Sequence, residues 1–164
     1  MVTNGPNRTG ELGRGRWTVP QLLALAVGIV YTIIGVAGFF VTGFDDFAGH
    51  EGHLLLGFEV NPLHNIVHLV IGVAGLALSA RLATARTFGW LLFVGYGAVF
   101  VYGLLVDKNS EANFLALNGA DDVLHVLSAA VGLLIALLPV RRAERVEPDR
   151  TSAYRESGIA PDRY

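Results

Sequence analysis

The chain has 164 residues, 52% of them hydrophobic and 16% charged, with 20 glycines and a mean hydropathy of +0.50. That composition is too apolar for an ordinary soluble domain of this size and excludes a disordered chain. A net charge of −2 without a basic stripe argues against nucleic acid as a partner, and the lack of cysteine removes disulfides, thiolate metal sites and cysteine nucleophiles.

Residues 1–16 are polar and glycine-containing and read as a solvated tail. Uncharged windows follow at residues 17–44, 60–80, 87–106 and 123–140. At ~1.5 Å per residue each can cross a hydrocarbon core of ~30 Å. None carries the polar residue once per turn that a soluble helix needs on its outer face. Helices are predicted over residues 22–41, 63–79, 88–106 and 120–140. Pro20 and Pro62 stand near helix starts, where a missing N–H costs nothing, and Pro139 lies at the end of the fourth span. The first window follows Arg14 and Arg16, but its apolar stretch exceeds the roughly 7 to 15 residues of a signal-peptide core and no Ala-x-Ala site follows, so it reads as a retained helix. Residues 141–164, mixing six arginines with five acids, read as a second solvated tail. The fold class is therefore all-α, a four-helix transmembrane bundle over residues 17–140 between two tails.

Orientation follows from the cations. Eleven of the twelve Lys and Arg lie in the two tails and the central loop, the last of these holding Arg81 and Arg86; Lys108 alone lies on the other side. The positive-inside rule then puts both termini in the cytoplasm. The two outer loops hold the acids, among them Glu51, Glu59, Asp121 and Asp122.

An internal repeat stands out. Shifting the chain by 57 positions aligns NPLHNIVHLVIGVAGL (61–76) with NGADDVLHVLSAAVGL (118–133) without a gap, matching Asn61 with Asn118, His68 with His125 and Gly75 with Gly132. This suggests a two-plus-two duplication with both copies running in the same direction. On the second span Asn61, His64, His68, Gly72 and Gly75 step by three or four, and on the fourth Asn118, Asp121, His125, Ala129 and Gly132 do the same, so each set shares one helix face. Small residues permit close backbone approach in lipid, and ionisable ones face a bundle interior. The two stripes are expected to face each other, with His68 and His125 at matched depth, ~10 Å below the outer helix ends.

His64, His68, Asp121 and His125 thus form the candidate site, with Asn65 and Asp122 adjacent and His50, Glu51 and His53 in the loop above. Four uses remain open. The polar groups could only hold helices together, as in a structural or assembly subunit packed against other membrane proteins or a second copy. Three imidazoles and a carboxylate suit a transition metal such as zinc, copper or iron, with Asp122 and Glu51 available to orient the rings. His68 and His125 could be axial ligands of a haem, given room at Gly72 and Ala129. Histidine and aspartate could also relay protons or bind a transported cation. No serine motif or H-E-x-x-H helix supports hydrolysis, and His50-Glu51-Gly52-His53 reads as a polar loop. Tyr31, Tyr96 and Tyr102 read as buried or interfacial hydroxyls, while the pairs Gly28 and Gly35, and Gly95 and Gly103, read as packing faces.

At the two repeated motifs, and along the hydrophobic layout from about residue 22 to 140, the sequence resembles the domain of unknown function 4383 family of small bacterial four-span membrane proteins. Members usually show Asp-Asn where this chain has Asp121 and Asp122. The resemblance implies the fold and, the family being bacterial, a plasma membrane address; it implies no activity.

Overall fold

The computed structural model describes residues 17–140. Four helices dominate: α1 (Val19–Thr42), α2 (Pro62–Leu78), α3 (Leu82–Leu105) and α4 (Gly119–Leu137). A short antiparallel hairpin, β1 (Leu54–Leu55) and β2 (Phe58–Glu59), lies in the α1–α2 connection. The all-α expectation holds. Both tails, with nine of the arginines used for orientation, lie outside the described residues.

α1, α3 and α4 are long and apolar enough to cross a membrane; α2, at 17 residues, is shorter. Their outward residues agree with that medium. Ile33, Val70, Val94, Leu104 and Leu127 are each more than half exposed, an arrangement that water penalises and lipid tails do not. α3 begins six residues before the expected start. Arg86, which suggested a loop, lies inside the helix, where its Nη2 donates to the Leu138 carbonyl at 3.0 Å. Gln21 does the same at the end of the other helix pair, its Nε2 donating to Ala80 at 3.0 Å. Each bond supplies a donor to a terminal carbonyl that the helix itself cannot satisfy.

Packing occurs mainly within two pairs, α1 with α2 and α3 with α4. Glycine makes both contacts close. A Cβ on Gly28 would stand 2.6 Å from the Leu76 amide nitrogen, and one on Gly75 2.8 Å from Gly28 Cα. In the second pair a Cβ on Gly132 would stand 2.6 Å from the Phe93 nitrogen, and one on Gly89 2.7 Å from the Gly132 carbonyl oxygen. Such approach is the source of helix association where no water is released. Gly35 and Gly103 also meet neighbours, against Leu69 and Asp122, but a Cβ on Gly95 would meet nothing within 4 Å. The expected pairing of Gly95 with Gly103 as a packing face is therefore wrong at Gly95, whose side of α3 is turned away from α4.

The loops joining α1 to α2 and α3 to α4 fold back over the bundle. Asn113 is fully buried; its Nδ2 donates to the Lys108 and Leu117 carbonyls, and its Oδ1 accepts from the Leu117 amide. Asn61 caps α2, accepting from the His64 amide at 2.9 Å, and Asn118 caps α4, accepting from the Ala120 and Asp121 amides. Each cap also ties down the other half's loop. Asn61 Nδ2 donates to the Phe114 carbonyl at 2.9 Å, and Asn118 Nδ2 donates to the Gly57 carbonyl at 3.0 Å. Replacing Asn61 by Ala should lower unfolding stability by about 2 kcal/mol, since a cap is worth ~1 and the severed carbonyl contact adds to it. Asn118→Ala, at a more exposed site, should cost about half as much; denaturant unfolding in detergent measures both.

Candidate metal centre

Two helices bring the histidines together. His64 and His68 are one turn apart on α2, so their rings lie on the same face, 4.4 Å apart between centroids. α4 presents His125 opposite them, its ring centroid 5.9 Å from that of His64. One nitrogen from each ring can be chosen so that all three lie within 4.8 Å of one another. All three side chains are at most 2% exposed. A tetrahedral ion with metal–nitrogen bonds of ~2.0–2.1 Å would hold its donors about 3.3 Å apart. Reaching that spacing would require each donor to move by less than ~1 Å toward their common centre.

The other two helices wall the cluster with tyrosines. Tyr31 of α1 meets His68 edge-on at 5.2 Å, and Tyr96 of α3 lies 5.2 Å from His125 and 5.4 Å from Tyr31. Ser128 donates to the Leu124 carbonyl, so at the 2.6 Å contact between Tyr31 and Ser128 the tyrosine is the donor. Tyr96 has no such partner. Neither do His64 Nδ1, His125 Nδ1 or either nitrogen of His68. A buried polar atom left unpaired costs ~1–3 kcal/mol, so this group concentrates unmet bonding capacity in one place.

Asp121 does not join the three histidines within that distance. It lies one turn nearer the start of α4, fully buried, and its Oδ2 accepts from the Asn118 amide at 3.0 Å and the Glu59 amide at 3.3 Å. Its Oδ1 is unpaired. The carboxylates expected to orient the rings are engaged elsewhere: Asp122 with Lys108 at 2.9 Å, and Glu51 with His53 at 2.9 Å in the exposed loop. His50 lies 3.7 Å from Glu59.

A cavity of about 140 Å³ adjoins the cluster, reaching His64, His68, Tyr96 and His125 from between α2 and α3. It is far too small for a haem. The room expected at Gly72 is filled by α1, since a Cβ there would already stand 2.5 Å from the Thr32 nitrogen, and Ala129 lies within the apolar core.

Residues 21–138 match the family described as domain of unknown function (DUF4383). The chain belongs to this family. No curated protein and no solved structure matches it. All four site residues expected from sequence lie inside the DUF4383 region, as do Tyr31 and Tyr96, read from sequence as buried or interfacial hydroxyls but not placed at the site, and Asn113, which sequence reasoning passed over. A signal for the tyrosines existed, because a hydroxyl deep in an apolar span needs a partner inside the bundle. Asn113 carries no periodic signal.

Proposed function

We propose that this DUF4383 chain is a four-span protein of the plasma membrane that holds a transition-metal ion between His64, His68 and His125, beneath its outer surface. The observation that carries this reading is the convergence of three buried imidazoles, of which His64 Nδ1, His125 Nδ1 and both His68 nitrogens have no hydrogen-bond partner. Imidazole donors suit zinc, copper, iron or nickel. Three protein donors leave one coordination position free, the pattern of reactive rather than purely structural sites. Asp121, one turn nearer the surface, supplies compensating negative charge through its unpaired oxygen rather than a direct bond. Purified in detergent, the protein should retain about one equivalent of metal per chain, and cobalt(II) added after chelation should give ligand-field bands. Protein that binds none of these ions stoichiometrically would defeat the reading.

A structural or assembly role, the second reading, has its own support. Asn65 Nδ2 donates to Thr42 Oγ1 at 3.0 Å, and the two Asn caps bind loops across the halves. These bonds hold elements together and need no ligand. They account for the asparagines and leave His68 unexplained.

The two-plus-two duplication is supported by more than the aligned motifs. Gly57 and Phe114, the carbonyls bound by Asn118 and Asn61, are separated by the same 57 positions as the two asparagines themselves. An exchange of this kind is what a pseudo-twofold axis along the membrane normal produces. With both termini in the cytoplasm, Ser110→Cys should be labelled by an impermeant maleimide in intact cells and Ala83→Cys only after permeabilisation. The opposite pattern would invert the topology.

A further inference from the structure

The hairpin between α1 and α2 has a tip at odds with its own turn chemistry. Leu56 and Gly57, between the paired residues Leu55 and Phe58, both have positive φ, 56° and 93°. Two-residue turns of this kind favour Asn, Asp or Gly at the first position, and a bulky side chain there is uncommon. Leu56 is nevertheless 86% exposed, and Leu54 is 59% exposed. A turn held in water gains nothing from leucine at this position.

The tip packs down onto the bundle. Leu55, Leu56 and Phe58 cover the cleft between α1 and α4, where they share a cavity of about 30 Å³ with Ile34, His68 and Leu124. Along the helix axes Ile34 lies ~12 Å from the end of α1 and Leu124 ~8 Å from the start of α4. The repeat supplies a comparison. Leu115, His125 and Val67, each 57 positions away from Phe58, His68 and Leu124, line the larger cavity of about 140 Å³ between α2 and α3. Ala112 and Asn113, which match Leu55 and Leu56, do not line it. The hairpin tip is what distinguishes the two clefts.

Helix length sets the level of the bilayer. α2 ends just before the exposed Arg81, and its 17 residues rise only ~26 Å. A hydrocarbon core of ~30 Å bounded near Arg81 therefore extends to the start of α2 and to the hairpin beside it. Backbone at that level needs internal partners. The hairpin has them: Leu54 pairs with Glu59 and Leu55 with Phe58, the Gly57 carbonyl accepts from Asn118, and the Glu59 amide donates to Asp121. Charge is confined to the base, where Glu59 lies 3.7 Å from His50, and residues 54–58 carry none. Ile33 and Val123, exposed and each next to a residue lining the cleft, continue the same apolar surface along α1 and α4. Two leucines fall far short of the ~1,000 Å² that a lasting protein contact needs, so acyl chains are the occupant they fit.

We propose that the hairpin tip is inserted into the adjoining leaflet of the bilayer, with Leu54 and Leu56 among the acyl chains while Leu55 and Phe58 close the cleft beside His68. The connection between α1 and α2 is then part of the membrane-embedded domain rather than a loop in water. This holds whether or not the histidines bind metal, because no metal donor lies in the hairpin.

The chain has no cysteine, so a single nitroxide label can be attached at any chosen position. In phosphatidylcholine nanodiscs, a label on Leu56→Cys should be relaxed efficiently by oxygen and poorly by a water-soluble nickel chelate, as should one on the lipid-facing Val123→Cys. A label on Glu51→Cys, exposed in the same connection, should show the reverse. With the label moved to Leu54→Cys, adding Leu56→Asp should lower the oxygen-to-nickel accessibility ratio about threefold or more, since a carboxylate is costly among acyl chains. Leu56→Asn, which suits the turn, replaces Leu56→Asp should that variant not fold, with the same direction expected. A Leu56 label as open to nickel as the one at Glu51, or shielded from both reagents as in a protein contact, would overturn the proposal. So would a ratio at Leu54 that ignores the change at Leu56.

Discussion

His68→Leu is expected to strip the protein of its metal while leaving the metal-free fold as stable as before, or more so. Loss of one of three protein ligands should weaken retention by more than about 100-fold, since even changes outside the ligand set cost ~10 to 100-fold. The effect on the metal-free protein has the opposite sign from an ordinary core polar substitution. Both His68 nitrogens are buried and unpaired, so leucine removes two unmet polar atoms and forfeits no hydrogen bond. What it loses is the edge-on contact with Tyr31 and part of the tilted ring contact with His64, terms worth about 1 kcal/mol. A histidine kept for helix cohesion would behave differently: stability would fall and metal content would have nothing to lose. Metal analysis and denaturant unfolding on one preparation, with and without chelator, distinguish the two. His125→Leu should behave similarly toward metal, and Asp121→Asn should weaken it by about tenfold while sparing the fold, because Asn keeps one acceptor for the Asn118 and Glu59 amides.

The histidine cluster was legible in the sequence because helical spacing and a gapless repeat act on the same residues. His64 and His68 had to share a face, and the match of His68 to His125 set a common depth. Asp121 was ambiguous for a physical reason. The third helical position places a carboxylate either toward the bundle or back onto its own N-terminus, and the capping bond to Asn118 won. The start of α3 was misplaced because a charge inside an apolar window reads as a boundary, whereas Arg86 reaches the last carbonyls of α4 from within the helix. Nothing in the sequence announced the covering loops. The strands of the hairpin are two residues each, too short for any alternation, and the three consecutive buried residues 115–117 follow no helical or strand period. Spacing alone also misjudged Gly95, since a glycine that admits a neighbouring helix and one that leaves a gap look the same in one dimension.

Gly28→Leu and Gly132→Leu should each abolish the folded state, and the corresponding alanine variants should lose about 2–3 kcal/mol. The atoms a new Cβ meets decide this. At Gly28 they are the Leu76 nitrogen at 2.6 Å, the Gly75 carbonyl carbon at 2.9 Å and the Gly72 oxygen at 3.0 Å, all main chain and unable to rotate away. The helices can only separate, and separation sacrifices the dispersion contacts that hold them together in a medium as apolar as their own side chains. Because α2 also carries His64 and His68, an outward shift at Gly28 moves two of the three imidazoles relative to His125 on α4. Gly28→Ala should therefore weaken metal retention although it lies well below the site, and Gly132→Ala should do so through α4. Gly95→Ala is the internal comparison: with nothing within 4 Å, it should gain up to ~1 kcal/mol from helix propensity and keep its metal. If all three alanine variants unfolded at one denaturant concentration, the pairing of helices through glycine would not be what fixes the distance between the histidines.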